Sequence, residues 1–233
     1  MMNRQLPIQF EFYTDQTFDS FYVGPNVEVT ETLKKFSAVN GENFIYLWGE
    51  KGSGKSHLLN SCCQWASSQN RDVRLLPMQQ LLEMAPELLE GLAGMEILCI
   101  DDIQLVCGKS DWEVALFDLF NQQRASGKQL IIAGDCPPAS LNCDLADLQT
   151  RLSWGITLAL KPFNDEEQLE GLIRQATALG MDFGPEVGRY LLSRFPRDPA
   201  SLSKMLEKLD QESIAAQRRI TIPFLKGVLE TTE

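Results

Sequence analysis

Short apolar runs alternate with segments of helical spacing over the first two thirds of the chain. The continuous apolar runs are typical of strands that are buried on both faces of a parallel sheet. They predict strands at 44–48, 73–77, 96–102, 129–135 and 156–160. Apolar residues at helical spacing predict intervening helices, with Leu33 and Phe36 inward in the first and further helices at 58–66, 79–89 and 111–126. Strands that alternate with helices in this way predict a three-layer αβα fold with a parallel sheet.

The pattern changes at Pro162, after which four helices and no strand are predicted. The first helix opens with Asn164 and Glu167, which are spaced as a capping box. The third has Asp198 as its N-cap and Pro199 at the first helical position. One side of that helix is expected to carry Leu202, Met205, Leu206, Leu209 and Ile214. We therefore predict an extended segment at 1–12, an αβα domain at 13–161 and a small all-helical domain at 162–233.

The turn between the first strand and its helix has the pattern G-x-x-x-x-G-K-S, from Gly49 to Ser56. Glycines let successive peptide N–H groups face one point, and the start of a helix adds its free N–H groups there. Such a loop binds the phosphates of a nucleotide, with Lys55 on the β- and γ-phosphates and Ser56 on Mg²⁺. The predicted nucleotide-binding residues here are Gly49, Lys51, Gly52, Ser53, Gly54, Lys55, Ser56 and His57. For His57 a packing or surface role is favoured over chemistry.

Carboxylates follow two of the predicted strands. Asp101 comes about 45 residues after the phosphate-binding loop, at the end of an apolar strand, where an acid holds Mg²⁺ directly or through water. Asp102 is a candidate for orienting an attacking water, or it caps the following turn. Asp135 ends the next strand, and ligands of parallel sheets bind beyond the carboxyl ends of the strands. It is therefore a candidate sensor of the nucleotide, with turn capping as the alternative.

Composition limits the kinds of partner. The formal net charge of −11 disfavours a broad surface that tracks nucleic-acid phosphates. Six cysteines without a C-x-x-C pair, and a single histidine, favour free thiols in a reducing compartment over a zinc site. The chain shows no leader pattern and no apolar run of membrane-spanning length. A cytoplasmic, soluble protein without a membrane partner is expected.

The segment 1–12 contains Pro7, which disfavours a helix. Leu6, Ile8 and Phe10 alternate and would share one face of an extended chain. Two interpretations stay open at this point: an edge strand that packs on the domain, or a peptide that docks on another protein.

Arg151 lies in a short segment before the last predicted strand, after a loop rich in proline, asparagine and aspartate. An arginine on a segment at the edge of a domain can reach a neighbouring subunit, or it can form a surface ion pair.

The four tryptophans are most simply residues of the core.

Together these motifs resemble the AAA+ ATPases, and more closely the AAA+ module of the bacterial replication initiator DnaA. The resemblance rests on 46–59, 100–104 and 150–155, and it extends over nearly all of 14–230. The stretch 17–24 is similar to the family's entry segment, which implies that Phe21 and Val23 border the nucleotide base. The resemblance also implies that the C-terminal helices form a lid and that Arg151 is an arginine finger acting in trans.

The chain departs from the initiator pattern in two places. A protein without the helix-turn-helix domain that binds DNA in the initiator is expected, since none of the 233 residues resembles it, and Ala200 stands where the lid normally carries its sensor 2 arginine. Tight closure of the lid on a γ-phosphate is therefore disfavoured, and weak or absent intrinsic ATPase activity is expected. A module of this family without the DNA-binding domain resembles the members that regulate the initiator.

For such a regulator the resemblance implies bound ADP (or ATP) with Mg²⁺ and an interaction with DnaA. It also implies binding to the sliding clamp, the beta subunit of DNA polymerase III, through Gln5, Leu6, Ile8 and Phe10. The function would be to stimulate hydrolysis of DnaA-bound ATP on DNA-loaded clamp, and so to prevent re-initiation. Contact with DNA would be indirect, through the clamp, and the AAA+ edge would also permit homo-oligomers.

Two other functions remain open from the sequence. A helicase loader or truncated initiator that remodels DNA would carry the same kind of module, although it would need basic residues facing DNA. A small-molecule kinase would share the phosphate-binding loop, but the helical lid and Arg151 disfavour it. The base and the phosphate state of the bound nucleotide are left open.

Overall fold

The structure is a computed structural model, which describes residues 13, 16–38, 43–195, 199–216 and 219–230. The described residues form two compact units. The first contains the residues up to Phe18, those from Glu28 to Gly49 and those from Lys55 to Ala159; the second contains Asp19–Val27, Glu50–Gly54 and the residues from Leu160 onward. The predicted boundary between 161 and 162 stays a prediction, because compactness in space also assigns two earlier segments to the second unit.

The first unit is built on a parallel sheet of five strands in the order β2-β3-β4-β1-β5. The strands are β1 (Phe44–Trp48), β2 (Val73–Pro77), β3 (Ile97–Asp101), β4 (Gln129–Gly134) and β5 (Ile156–Ala159). Every residue of β3 and of β4 is buried, as the continuous apolar runs predicted. The predicted strands and their parallel arrangement are confirmed.

Helices pack on both faces of this sheet. The helices of the first unit are α1 (Val27–Ala38), α2 (Lys55–Ser68), α3 (Met78–Leu81), α4 (Ser110–Ala125) and α5 (Ala146–Leu152). On one face, Tyr46 and Ile132 share a core with Leu116 of α4. On the other, the Cys99 thiol of β3 is hydrogen-bonded to Cys63 of α2. Because neighbouring residues of a strand point to opposite faces, both faces are covered and the αβα prediction is confirmed.

The predicted helix over 79–89 is wrong. The structure has the single turn α3 at Met78–Leu81, then a break, and then a 3₁₀ segment at Pro86–Leu92. Proline has no N–H to donate and its ring clashes with the preceding turn, so Pro86 begins the second segment instead of continuing the first. The apolar residues that suggested one helix are divided between these two short elements.

The second unit contains the four predicted helices of the C-terminal part. They are α6 (Asp165–Ala178), α7 (Pro185–Arg194), α8 (Pro199–Ala216) and α9 (Ile222–Glu230). The capping box at the start of α6 is present: the Asn164 side chain accepts from the backbone N–H of Glu167, whose carboxylate accepts from the N–H of Asn164. Leu191, Leu206, Leu209 and Leu225 are fully buried in the core of these helices.

Ile214 does not join that core, contrary to the expectation from spacing. Its side chain is 69% exposed, whereas Leu209 of the same helix is fully buried. The five residues from Leu209 to Ile214 turn an α-helix by about 140° past a full turn, so Ile214 points away from the apolar side.

Among the described residues, no helix combines the length and the apolar character that a membrane-spanning segment needs.

The segment Asp19–Val27 is tied to the start of the helical part within the second unit. The Tyr22 ring lies 5.3 Å from that of Phe163, centroid to centroid, and its hydroxyl donates to Glu170 Oε2 at 2.9 Å. The Asn26 side chain bonds both the carbonyl and the N–H of Lys161, at 3.1 and 2.8 Å. These contacts tie Tyr22 and Asn26 to α6 and to the residues just before it.

Candidate functional site

The phosphate-binding loop requires glycine at two of its positions. Gly52 and Gly54 have φ angles of 82° and 96°, a region that L side chains rarely adopt. A Cβ on Gly54 would also lie 2.6 Å from the Phe21 ring, closer than such atoms approach. Phe21 is buried, so the predicted base-bordering residue packs directly on the loop. Val23 is half-buried, and its carbonyl accepts from the N–H of Asn26 in a 3₁₀ turn.

Two other residues of the loop differ in exposure. Ser53 is buried, and its hydroxyl oxygen has no hydrogen-bond partner among the described residues. Lys51 is exposed to solvent. A buried hydroxyl without a partner carries a desolvation cost that a bound group with acceptor or donor atoms would remove. Gly49 leads into the loop, and its N–H donates to the carbonyl of Gly134 at the end of β4.

Lys55 is the first residue of α2 and is almost completely buried. Its ammonium donates to the Gly49 carbonyl at 2.7 Å. Burial lowers the pKa of this ammonium, and the carboxylates of Asp101, Asp102 and Asp135 oppose that shift. A cation is thus held at the carboxyl ends of β1, β3 and β4, where it can bind an anion.

Asp101 and Ser56 are brought together, as the metal-site prediction requires. Asp101 ends β3 and is 7% exposed. Burial raises the pKa of its carboxyl, whereas the hydrogen bond from the Ser56 hydroxyl lowers it. The backbone N–H of Asp102 donates to Asp101 Oδ1 at 3.0 Å. A largely buried carboxylate beside a hydroxyl is a donor set that suits Mg²⁺.

Gln104 joins the two other acids of the site. Its side-chain amide donates to Asp102 Oδ1 at 2.9 Å, and its amide oxygen accepts from the backbone N–H of Asp135 at 3.2 Å. Asp102 has left-handed backbone angles, φ 59° and ψ 48°, and its side chain does not cap the 3₁₀ turn that follows it. The Asp135 side chain is exposed. Sequence reasoning missed Gln104, although an amide within an otherwise apolar stretch was a usable signal.

His57 has a packing contact in the structure. Its Nε2 lies 2.9 Å from the carbonyl oxygen of Thr17, to which a protonated nitrogen would donate. This contact ties α2 to the segment that precedes the second unit. The favoured packing interpretation therefore has a specific partner, and phosphate contact by His57 stays a prediction.

Arg151 lies on α5 and stacks on an aromatic side chain. Its guanidinium carbon is 3.9 Å from the centroid of the Trp154 ring and 5.7 Å from that of Phe117. The guanidinium of Arg124 also lies over Trp154, at 4.3 Å. Arg151 has no carboxylate partner among the described residues, so the surface ion pair that was the alternative is not seen there. Trp154 is 49% exposed, and its expected place in the core is wrong.

Several predicted residues fall outside what the structure describes. The segment 1–12, with Gln5, Leu6, Ile8 and Phe10, lies outside the described residues, and so does Asp198. Ala200 falls within the bounds of α8, but its side-chain surroundings are outside the description.

Comparison with known families gives two matches along the chain. The family described as the bacterial DnaA ATPase domain matches residues 12–159. The family described as Hda, lid domain, matches residues 165–229. The first match covers more than half of the chain and contains the phosphate-binding loop, both acidic strand ends and Arg151. The second covers all four C-terminal helices almost completely.

Solved structures share the fold at low sequence identity. Domain III of the Thermotoga maritima replication initiation protein DnaA is 22% identical, with a TM-score of 0.80 over 95% of this chain and 98% of that one. AMPPCP-bound DnaA from Aquifex aeolicus is 22% identical, with a TM-score of 0.69 over 83% of this chain and 64% of that one. A RuvB variant from Thermotoga maritima is 16% identical, with a TM-score of 0.69 over 95% and 73%. The expected AAA+ fold is confirmed.

Proposed function

Because the chain belongs to the family of the bacterial DnaA ATPase domain, we propose that it is a nucleotide-binding regulator of replication initiation. In this proposal it stimulates hydrolysis of ATP bound to DnaA, in a complex with the DNA-loaded sliding clamp, and thereby prevents re-initiation. The observation that carries the proposal is the pairing of a DnaA-type ATPase domain with an Hda-type lid in one chain. The net charge of −11 supports an indirect contact with DNA over a direct one. A cytoplasmic location belongs to the same proposal.

The chain's own ligand is proposed to be ADP, or ATP, with Mg²⁺. The residues of the candidate site suit a nucleoside phosphate with Mg²⁺. Within the first unit, the buried Lys55 ammonium and the largely buried Asp101 carboxylate beside Ser56 form a donor set for phosphate and a divalent cation. Lys55 would exchange its bond to the Gly49 carbonyl for phosphate oxygens, and the N–H groups of the glycine loop would follow the same phosphates. Mg²⁺ would supply charge neutralisation there.

Arg151 is proposed to act on a neighbouring nucleotide and not on its own. Its guanidinium is held by stacking on Trp154, which leaves the N–H donors along the guanidinium edge free to fork onto phosphate oxygens. An arginine inserted beside a transferring γ-phosphate stabilises the charge that develops in the transition state. Under this proposal the chain is an activator of another protein's hydrolysis. Self-association through the same edge is a further consequence of such an arrangement.

The proposed clamp contact is tested by alanine replacements in the N-terminal segment. Replacing Gln5 and Leu6 together removes the polar anchor and one apolar anchor, so clamp binding is expected to be lost while nucleotide binding is unchanged. Gln9→Ala, in the same segment but at no anchor position, is the matched control and should bind the clamp normally. Surface plasmon resonance on immobilised clamp measures all three proteins. Full clamp affinity in the double variant would show that the segment is not the clamp-binding peptide.

Intrinsic ATP hydrolysis is expected to be slow or absent. The Asp102 carboxylate is one methylene shorter than the more usual glutamate and already accepts from the Gln104 amide. The lid also lacks an arginine at position 200, where Ala200 stands. Phosphate release by the purified protein should therefore stay well below about 1 s⁻¹, the low end of ordinary enzymes. Turnover at or above that rate would contradict this expectation and favour a self-contained ATPase such as a helicase loader.

A further inference from the structure

Two cysteine thiols lie against each other beside the candidate site. The sulfur atoms of Cys107 and Cys143 are 2.7 Å apart, although the residues are 36 positions apart in the chain. Cys107 follows β3 and the acids at its end, and Cys143 precedes α5, which carries Arg151. Both residues are half-buried and so remain open to small reagents, whereas Cys62, Cys63 and Cys99 are fully buried.

A buried carboxylate holds together the two loops that carry Cys107 and Cys143. Glu113 of α4 is completely buried and accepts three backbone hydrogen bonds. Its Oε1 accepts from the N–H groups of Gly108 and Asp144, at 2.7 and 3.0 Å, and its Oε2 accepts from Leu145 at 2.6 Å. The residues after each cysteine are thus fixed to one side chain. The pairing of the thiols is therefore built into the fold and is not a chance approach of two mobile loops.

The two thiols differ in acidity. A hydrogen bond from Cys143 lowers the pKa of Cys107, against the opposing effects of burial and of the Glu113 and Asp135 carboxylates. Donation of that bond is the main cause that raises the pKa of Cys143, and burial adds to it. Cys136, nearby, has its pKa raised to about 11, chiefly by burial and then by its bond to Asp135. Cys107 is therefore the thiol of the pair that loses its proton more readily, and thiolates are the species that react.

We propose that Cys107 and Cys143 are an oxidation site of this protein, at which a hydroperoxide forms a reversible disulfide. Metal binding by the same residues is disfavoured because the Glu113 carboxylate already accepts three N–H groups. Among the described residues, the cluster of Cys107, Glu113 and Cys143 also offers only three ligand atoms within 4.8 Å of one another, whereas structural zinc takes four.

The chemistry proceeds in two balanced steps. The Cys107 thiolate attacks one oxygen of hydrogen peroxide, an S–O bond forms, the O–O bond breaks and hydroxide leaves, taking up a proton to become water. Cys143 then attacks the sulfur of the resulting sulfenic acid. The S–S bond forms, the S–O bond breaks, and hydroxide leaves with the Cys143 proton as a second water. Two sulfur atoms are oxidised by one electron each, and the two peroxide oxygens are reduced.

The disulfide would join the segment that carries Gln104 of the candidate site to the segment that leads into α5. Cys107 lies three residues beyond Gln104, which joins Asp102 to Asp135, and Cys143 lies three residues before α5. Oxidation would therefore add a covalent link between the loop of the nucleotide site and the start of the helix that carries Arg151. Reversible disulfides of this kind in intracellular proteins are usually catalytic or redox-sensing.

The test is a thiol count on the whole protein, before and after mild hydrogen peroxide, with peptide mapping under non-reducing conditions. The wild type should lose two of its six titratable thiols and yield one cross-linked peptide pair, 107 with 143, that dithiothreitol releases. Cys143→Ser should form no disulfide and should accumulate a sulfenic acid at Cys107 that dimedone traps. Cys136→Ser is the matched control and should still lose two thiols. Oxidation should raise the thermal unfolding midpoint of the wild type but not of Cys143→Ser.

Three results would overturn the proposal. One is a cross-link that involves Cys136 or joins two chains. Another is loss of the first two thiols at the same rate in Cys143→Ser as in the wild type. A third is stoichiometric zinc that leaves the purified protein when thiol reagents are added. Because the wild-type peptide map needs no variant, the proposal is tested even if a serine replacement fails to fold, and none of these measurements depends on nucleotide, clamp or DnaA binding.

Discussion

Arg151→Ala is expected to abolish stimulation of DnaA's ATP hydrolysis while leaving this chain's own nucleotide and clamp binding unchanged. In the proposed complex the guanidinium lies beside the γ-phosphate held by DnaA, where its charge offsets the charge that develops during phosphoryl transfer. Arginines in this role contribute ~10³–10⁵ in rate. The stimulated rate should therefore fall to that of DnaA alone. The measurement is phosphate release from DnaA–ATP in a mixture with DNA-loaded clamp and the variant.

The structure provides a matched control for this experiment. Arg124 lies over the same Trp154 ring as Arg151, at 4.3 and 3.9 Å. Arg124→Ala also removes a guanidinium from the stack but leaves Arg151 in place, so stimulation should persist. Arg151→Lys should restore little, because an ammonium does not fork onto two phosphate oxygens.

The opposite pattern would reject the role in trans. If Arg151→Ala weakens binding of nucleotide to this chain and spares hydrolysis by DnaA, the arginine serves its own site. The helicase-loader alternative would then gain support. Equal loss of stimulation in the Arg124 and Arg151 variants would instead assign the effect to the Trp154 stack as a whole.

Much of the fold was predictable because burial on both faces gives each strand a continuous apolar run. β3 and β4 are examples, since every residue of each is buried. The meeting of Asp101 with Ser56 also followed from topology, because the carboxyl ends of parallel strands lie at one edge of the sheet. Local periodicity and strand direction were sufficient for these features.

Features that depend on particular neighbours were not predictable in the same way. Trp154 was assigned to the core by its size, yet two guanidinium groups cover part of its ring and leave it half exposed. Gln104 was missed because its bonds to Asp102 and Asp135 join residues from two loops. The pairing of Cys107 with Cys143 depends on the three backbone bonds of Glu113, which no sequence pattern shows.

Lys55→Ala is expected to remove measurable nucleotide binding while the protein stays folded. The Lys55 ammonium is almost completely buried and donates to the Gly49 carbonyl at 2.7 Å. In the proposed complex this ammonium forms a buried charge pair with phosphate oxygens, and truncating one partner of such a pair costs about 2–5 kcal/mol or more of binding free energy. Titration calorimetry with Mg²⁺–ADP and Mg²⁺–ATP measures the loss, and circular dichroism checks the fold.

Lys51→Ala is the matched control, because the Lys51 side chain is exposed and the predicted part of Lys51 in nucleotide binding is that of its backbone N–H, which alanine keeps. Its charge is screened by solvent, so its removal should change the affinity little. If only the local positive charge of the loop mattered, both variants would be weakened equally, whereas a direct phosphate contact weakens Lys55→Ala far more. Unchanged nucleotide affinity in Lys55→Ala would reject the phosphate-binding role of the loop. It would also remove the basis for proposing ADP as the chain's own ligand, while the role of Arg151 toward DnaA would still be decided by the hydrolysis experiment.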